Sequence, residues 1–335
     1  EFTSHLSGEE LFRPCYGAFI IELNGAAADG ENVIGKTIED YKILCRDYTV
    51  SLDNLQRVWE AKLEPVFPCR IKTTDTTPET YSNANRIHRS ASIKVAQPRV
   101  LIPVFPGTNC EYDTARAFER AGAKAETIVI RNLSASAIEE SVNVFERAIK
   151  QSQIIMLPGG FSGGDEPEGS GKFITAFFRN AKIKDAVHDL LQNRDGLMLG
   201  ICNGFQALVK LGLVPFGEII DMADDAPTLT FNTIARHQSM MVTTRIASNK
   251  SPWLYSCEVG DIHTIPISHG EGRFVAPDRI IQQMANNGQI ATQYVDLDGN
   301  PTMDIRYNPN TSVEAIEGIT SPDGRVLGKM GHSER

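Results

Sequence analysis

The chain has 335 residues, 41% of them hydrophobic, and a formal net charge of −9. That size predicts about two globular domains, and an acidic chain without a basic stretch argues against a nucleic-acid partner. No apolar run approaches the about 20 residues of a membrane helix, and Glu1–Glu10 holds no signal-peptide core. Its six cysteines (Cys15, Cys45, Cys69, Cys110, Cys202, Cys257) are far apart and form no CxxC pair. The spacing predicts neither a metal site nor a disulfide framework, and a reducing cytoplasm is the expected location. The absence of an initiator Met leads us to expect a piece of a longer chain.

In chain order, Gly17–Leu23 reads as a strand, Leu44–Val50 as a second, and Ser51–Leu63 as a short helix capped by Ser51 or Asp53. Thr73–Gln97 loses apolar periodicity and reads as a linker or a crossover lying on the surface. Val100–Phe105 is a continuous apolar run, as in a strand buried on both faces. Thr108 with Glu111 resembles a capping box for a helix that stops near Gly122. Thr127–Ile130 is the next strand, Ser136 with Glu139 opens another helix, and Ile154–Leu157 is a strand running into Pro158-Gly159-Gly160. A helical stretch over Lys172–Leu191, a strand at Leu197–Ile201 and a helix at Phe205–Leu211 follow. Beyond Thr228 the pattern turns toward strands, the last of them Val326–Met330. Strands alternating with helices predict an α/β fold with a mostly parallel sheet covered on both faces.

The sharpest chemical signal is Leu199-Gly-Ile-Cys-Asn-Gly-Phe-Gln206. A buried strand meets a helix at Cys202, with Gly200 and Gly204 two residues to either side, the G-x-C-x-G form of a nucleophile elbow. A helix N-terminus favours the thiolate, the reactive form. The competing reading is a structural cysteine between packing glycines. A thiol nucleophile needs a base. His332, two residues before Glu334, is the candidate, with His269 in Ile267-Ser-His-Gly-Glu-Gly-Arg-Phe274 as its rival. If the extended backbone continues past Met330, His332 and Glu334 share a face, so the carboxylate orients the imidazole. Acyl transfer also needs oxyanion donors, and the N–H groups of Gly160 and Asn203 are the candidates. The other histidines receive no role.

Together, Pro158-Gly-Gly, Gly200-Ile-Cys-Asn-Gly-Phe-Gln206 and His332-x-Glu334 resemble class I glutamine amidotransferases. Phe105-Pro-Gly-Thr-Asn-Cys-Glu111, Gly159-Gly-Phe-Ser-Gly-Gly-Asp165 and Ser268-His-Gly-Glu-Gly-Arg-Phe274 are similar to the glutaminase part of formylglycinamide ribonucleotide amidotransferases. The resemblance implies an amidotransferase domain over 98–335, a linker over 73–97, and the tail of a synthetase-like domain over 1–72. Gly17–Leu23, Val33-Ile-Gly35 and the Trp59-Glu60 helix carry the last, and imply a C-terminal fragment of the large fused form. It implies Cys202 as nucleophile, His332 as base, Glu334 as its orienter, and Gly160 and Asn203 as oxyanion donors. Gln206, Gly159, Phe161, His269, Gly270 and Glu271 would contact glutamine or its thioester. The implied partners are glutamine and the enzyme's synthetase domain with its bound formylglycinamide ribonucleotide. ATP and Mg belong to that synthetase part, and this chain itself takes no cofactor. Ser333 stands where the family usually has proline. The loop after Asp165 departs from the family pattern, and the stretch after Met330 is expected to be loosely held. The rival functions are another cysteine amidase of the PfpI/DJ-1 group and a catalytically silent docking module.

Overall fold

A computed structural model describes residues 1–4, 7–27, 32–46, 48–68, 71, 76–86, 91, 94–162 and 171–335. The chain divides into two compact units, Glu1–Arg70 and Ile71–Arg335.

The first unit holds α1 (Gly8–Leu11), β1 (Lys42–Cys45), β2 (Tyr48–Ser51) and α2 (Leu52–Ala61). Gly17–Leu23, expected as a strand, is irregular, and its apolar side chains Phe19, Ile20 and Ile21 are exposed. An apolar run becomes a strand only when neighbours cover it and pair with it. The single strand expected over Leu44–Val50 is a hairpin, β1 pairing antiparallel with β2. Of the two candidate caps for α2 it is Ser51 whose side chain accepts the Asn54 N–H, satisfying one of the open donors of the first turn.

The second unit is built on β3 (Arg99–Val104), α3 (Glu111–Arg120), β4 (Lys124–Val129), α4 (Ala135–Gln151), β5 (Ile154–Leu157), α5 (Lys172–Phe178), α6 (Ala181–Gln192) and β6 (Leu197–Ile201). There follow α7 (Asn203–Leu211), α8 (Leu213–Phe216), β7 (Thr228–Thr230), β8 (Gln238–Ile246), β9 (Ile262–His269), β10 (Arg273–Val275), α9 (Asp278–Asn286), β11 (Ile290–Tyr294), β12 (Ile316–Thr320) and β13 (Val326–Lys329). Nine strands form one sheet in the order β4-β3-β5-β6-β13-β12-β11-β8-β9, an α/β architecture with helices on both faces. From β4 to β13 the strands are parallel, and from β13 to β9 each neighbour is antiparallel.

The parallel half is where the continuous apolar runs lie. Val100, Leu101 and Ile102 of β3 are fully buried, as a strand covered on both faces requires. On α4 the buried residues Ala137, Ser141, Val142, Phe145 and Ile149 repeat at helical spacing and turn one face inward. Phe105, Phe145, Phe173, Phe177 and Phe178 pack edge to face with centroids 5.5 to 5.8 Å apart. Each fully buried ring contributes about 2–3 kcal/mol by leaving water.

Three helix boundaries differ from expectation. The Thr108 hydroxyl accepts the Phe105 N–H instead of capping α3, whose N-cap is Cys110. The cap of α4 is Ser134, not Ser136. The helical stretch expected over Lys172–Leu191 breaks at Asn180, whose side chain caps α6. Residues 76–86, in the segment read as linker or crossover, lie along the second unit. Tyr81 is buried, its N–H donates to Gln293, and Asn83 bridges to Ser248.

Candidate active site

β6 carries the chain into the middle of the sheet and delivers Cys202 at its C-terminal end. Cys202 has φ 52 and ψ −107, a backbone that L-residues avoid and that a tight strand-to-helix turn imposes. The two glycines make the turn possible. A Cβ at Gly204 would stand 2.0 Å from the Leu157 carbonyl oxygen, and one at Gly200 would stand 2.7 Å from the Gly204 carbonyl oxygen. The Cys202 N–H donates to Lys329 O at 2.9 Å, so β13 fixes the elbow from its other side.

The same strand β13 brings His332 to the site. The expected extended run does not continue past it. Residues 333 and 334 form a turn, and it is the turn that returns Glu334 to the imidazole. His332 Nδ1 lies 2.7 Å from Glu334 Oε1, so Nδ1 carries the proton and Nε2 is left for a substrate or thiol. The stretch is firmly held. The His332 N–H donates to Pro266 O, and Gly331 N–H donates to the buried Glu317 carboxylate at 2.6 Å. Ser333 donates its N–H to Gly331 O and accepts a bond from Lys329 Nζ at 2.6 Å, and a proline, with neither N–H nor hydroxyl, would forfeit both. Burial opposes charge on the His332 ring. Hydrogen bonds to Cys110, Cys202 and Glu334, with the attraction of Cys202, outweigh it and push its pKa up to about 12.

Gly159 and Gly160 follow β5 and form the facing wall. A Cβ at Gly159 would stand 2.6 Å from His332 Cε1, 3.1 Å from Cys110 Sγ and 3.5 Å from Cys202 Cβ. Only a glycine admits that convergence of three side chains. Gly160 has φ 140 and bridges Thr108. The bonds of that bridge run from Phe161 N–H to Gly107 O and from Asn109 N–H to Gly159 O, so neither uses the Gly160 N–H. Gly163 to Asp165, and the loop beyond that was expected to differ, lie outside the described residues.

Residues 97–335 match the family of CobB/CobQ-like glutamine amidotransferase domains. The chain belongs to that family. It is similar to the phosphoribosylformylglycinamidine synthase subunit PurQ of Methanococcus maripaludis (strain C7), 38% identical over 247 residues that span 72% of this chain and 84% of the relative. The PurQ subunit of Aquifex aeolicus is 33% identical over 232 residues, 69% of this chain and 88% of that one. Among solved structures, PurLQS from Thermotoga maritima aligns with 71% of this chain and 89% of the matched chain, at 26% identity and a TM-score of 0.51. The chain is thus a glutamine amidotransferase.

The other residues expected at this amidotransferase site fall into two groups. Phe161 is part-exposed and sits beside His237, ring centroids 6.3 Å apart. Gln206, by contrast, is buried, and its amide is engaged within the protein. Its Oε1 accepts from Asn203 Nδ2 at 3.0 Å and its Nε2 donates to Glu271 O at 2.6 Å. Gln206 therefore braces the Ser268–Phe274 segment, as does Asn232. The Asn232 side chain binds His269 O and Gly272 N–H, and its N–H donates to Gly270 O. His269, the rival base, is buried with Nε2 2.9 Å from Asn310 Oδ1. Burial, and the nearby His332 and His237, hold its pKa down at about 3 despite the Asn310 bond. Among the described residues it has no carboxylate partner, and the Cys202 thiol, which bonds His332, meets the segment of His269 at the Ser268 carbonyl, 3.9 Å away.

Sequence reasoning passed over Cys110, His237, Asn232, Asn310 and Glu317. His237 bonds the Ser268 hydroxyl at 2.9 Å, and Asn310 Nδ2 donates to Tyr294 at 2.9 Å, extending the chain of bonds from His269. His237, Asn232, Asn310 and Glu317 carry no local sign, because each acts on a partner far away in sequence. Only Cys110 had one, its place in the Phe105–Glu111 motif.

Proposed function

We propose that this amidotransferase hydrolyses glutamine to glutamate and ammonia through a thioester on Cys202. The ammonia then serves ATP-dependent conversion of formylglycinamide ribonucleotide to formylglycinamidine ribonucleotide in de novo purine biosynthesis. The observation that carries the chemistry is the Cys202 elbow facing His332, with Glu334 on the far ring nitrogen. The likeness to two PurQ subunits supports the pathway.

In this reading the Cys202 sulfur adds to the side-chain carbonyl of glutamine. The Gly160 and Asn203 N–H groups, the latter opening α7, hold the oxyanion that forms. His332 takes the thiol proton and returns it to the departing nitrogen, so that ammonia and the Cys202 thioester result. Water then gives a proton to His332 Nε2, attacks the thioester, and releases glutamate and the restored thiol. Glu334 keeps the ring in the Nδ1–H form throughout. Phe161 and the segment holding His269, Gly270 and Glu271 border the glutamine. Ammonia must stay unprotonated to react, so it passes to a synthetase that binds ATP and Mg. The resemblance of Gly17–Leu23, Val33-Ile-Gly35 and the Trp59-Glu60 helix, within residues 1–72, to a synthetase tail supports that partner and the fused form. Activity depends on its docking.

Glutamate release is the test, measured with and without the synthetase part against a Cys202→Ala control. We expect release that is abolished in the control and stimulated by the synthetase. Release that persists in Cys202→Ala would overturn the thioester. Absence of release and of Cys202 labelling by a thiol-reactive glutamine analogue, with the synthetase present, would leave a silent docking module.

A further inference from the structure

A second thiol stands beside the His332 ring, at Nδ1. Cys110, buried at the start of α3, has its Sγ 3.9 Å from His332 Nδ1. The donor atoms of Cys110, His332 and Glu334 all lie within 4.8 Å of one another. Glu334 Oε2 is buried and has no hydrogen-bond partner among the described residues, while its side chain is only 4% exposed. A buried carboxylate oxygen without a partner is costly, and a cation beside it removes the cost.

We propose that Cys110 Sγ, His332 Nδ1 and the Glu334 carboxylate form an inhibitory zinc site. Thiolate, imidazole and carboxylate together are a ligand set that zinc accepts, with a fourth position left for water. Tetrahedral zinc at ordinary bond lengths places N and O ligands about 3.3 Å apart and N and S ligands about 3.6 Å apart. The observed 2.7 Å and 3.9 Å therefore need shifts of only a few tenths of an ångström, outward for Glu334 and inward for Cys110. Arg335 must also give way. Its Nη2 donates to Cys110 Sγ at 3.2 Å, but its Nε already lies 3.5 Å from Asp113, which can keep it. Asn109 Oδ1, 3.1 Å from the thiol, loses its bond when the thiol ionises.

Inhibition follows from proton accounting. Binding releases the Cys110 thiol proton, and as the metal takes Nδ1 the proton of the Nδ1–H form moves to Nε2. The one proton the ring then keeps is on Nε2. An imidazole so held has no lone pair facing Cys202 and accepts a proton neither from the thiol nor from the attacking water. Sequence spacing could not reveal the site, since Cys110 and His332 are 222 residues apart.

The inhibitory effect rests on the function proposed above, whereas metal binding does not. The experiment therefore reads both, on the full chain with its synthetase part, freed of metal. Cys257, Asp261 and His263 also bring three donors within 4.8 Å, so every protein carries Cys257→Ala. Cobalt(II) is expected to bind with a thiolate-to-cobalt charge-transfer band that is lost in Cys110→Ala. Zinc should displace the cobalt and stop glutamate release, and chelator should restore it. Half-inhibition should need at least tenfold more zinc in Cys110→Ala, each variant being referred to its own activity in chelator. Arg335→Ala, which removes the competing cation, should shift half-inhibition to lower zinc. No charge-transfer band, or a band and zinc sensitivity that survive in Cys110→Ala, would overturn the proposal. No glutamate release in chelator would count against the proposed function alone, since the cobalt spectrum still decides the site.

Discussion

Cys202 holds a backbone geometry that its side chain disfavours. At φ 52 an L-residue is strained by about 1–3 kcal/mol relative to an ordinary conformation, and glycine is not. Replacing the thiol therefore separates strain from chemistry. Cys202→Gly should be more stable than Cys202→Ala by about 1 kcal/mol in urea unfolding, the reverse of the usual ranking. Both should lack glutamate release. An alanine variant as stable as the glycine variant would show that the elbow relaxes once the sulfur is gone. The strain is opposed by fixed neighbours, Lys329 O on the Cys202 N–H and Cys202 O on the Gln206 N–H. It is these bonds that keep the sulfur raised above the sheet edge.

The junction of β5, β6 and α7 is built with no room to spare. An alanine at Gly204 would press its Cβ to 2.0 Å from Leu157 O, backbone against backbone. Gly204→Ala should thus push α7 off β5 and cost about 1–3 kcal/mol in thermal or urea unfolding, with activity falling further than stability because Asn203 moves too. At this scale much was legible in advance. Ile154–Leu157 and Leu197–Ile201 could be read residue for residue, because a strand buried on both faces leaves an unbroken apolar run and the glycines of the elbow punctuate it. Gly17–Leu23 has a similar run and no partner strand among the described residues, and it is irregular. Helix starts misled wherever several hydroxyl side chains competed. Ser134 and Ser136 are equal in sequence, and only the path of the chain chooses between them. The pair of His332 and Glu334 was legible, but the turn that joins them was not, since it depends on Lys329, Pro266 and Glu317 around it.

For the molecule as a whole, the antiparallel half of the sheet acts as the mount for the site. His269 is buried there in its neutral form, and its low pKa ties folding to pH. The unfolded chain takes up a proton at a pKa near 6.5, whereas the folded His269 resists until about 3. In that window the unfolded state binds more protons, so stability is full above it and falls as pH drops through it, by up to about 1.4 kcal/mol per unit. Urea midpoints measured from pH 7 to pH 4 should decline, and His269→Gln should flatten the decline. An unchanged slope in the variant would place the acid sensitivity elsewhere. Asn232 and Asn310 were invisible at this scale in the sequence because buried amides work only through distant partners. The strand order holds one more consequence. β13, late in the chain, lies between β6 and β12, and it supplies both the brace for Cys202 and the approach to His332. On a translating ribosome, the elbow emerges long before the strand that completes it. On the function proposed above, a growing polypeptide carries its thiol unarmed, and glutamine is spared until the sheet has closed around β13.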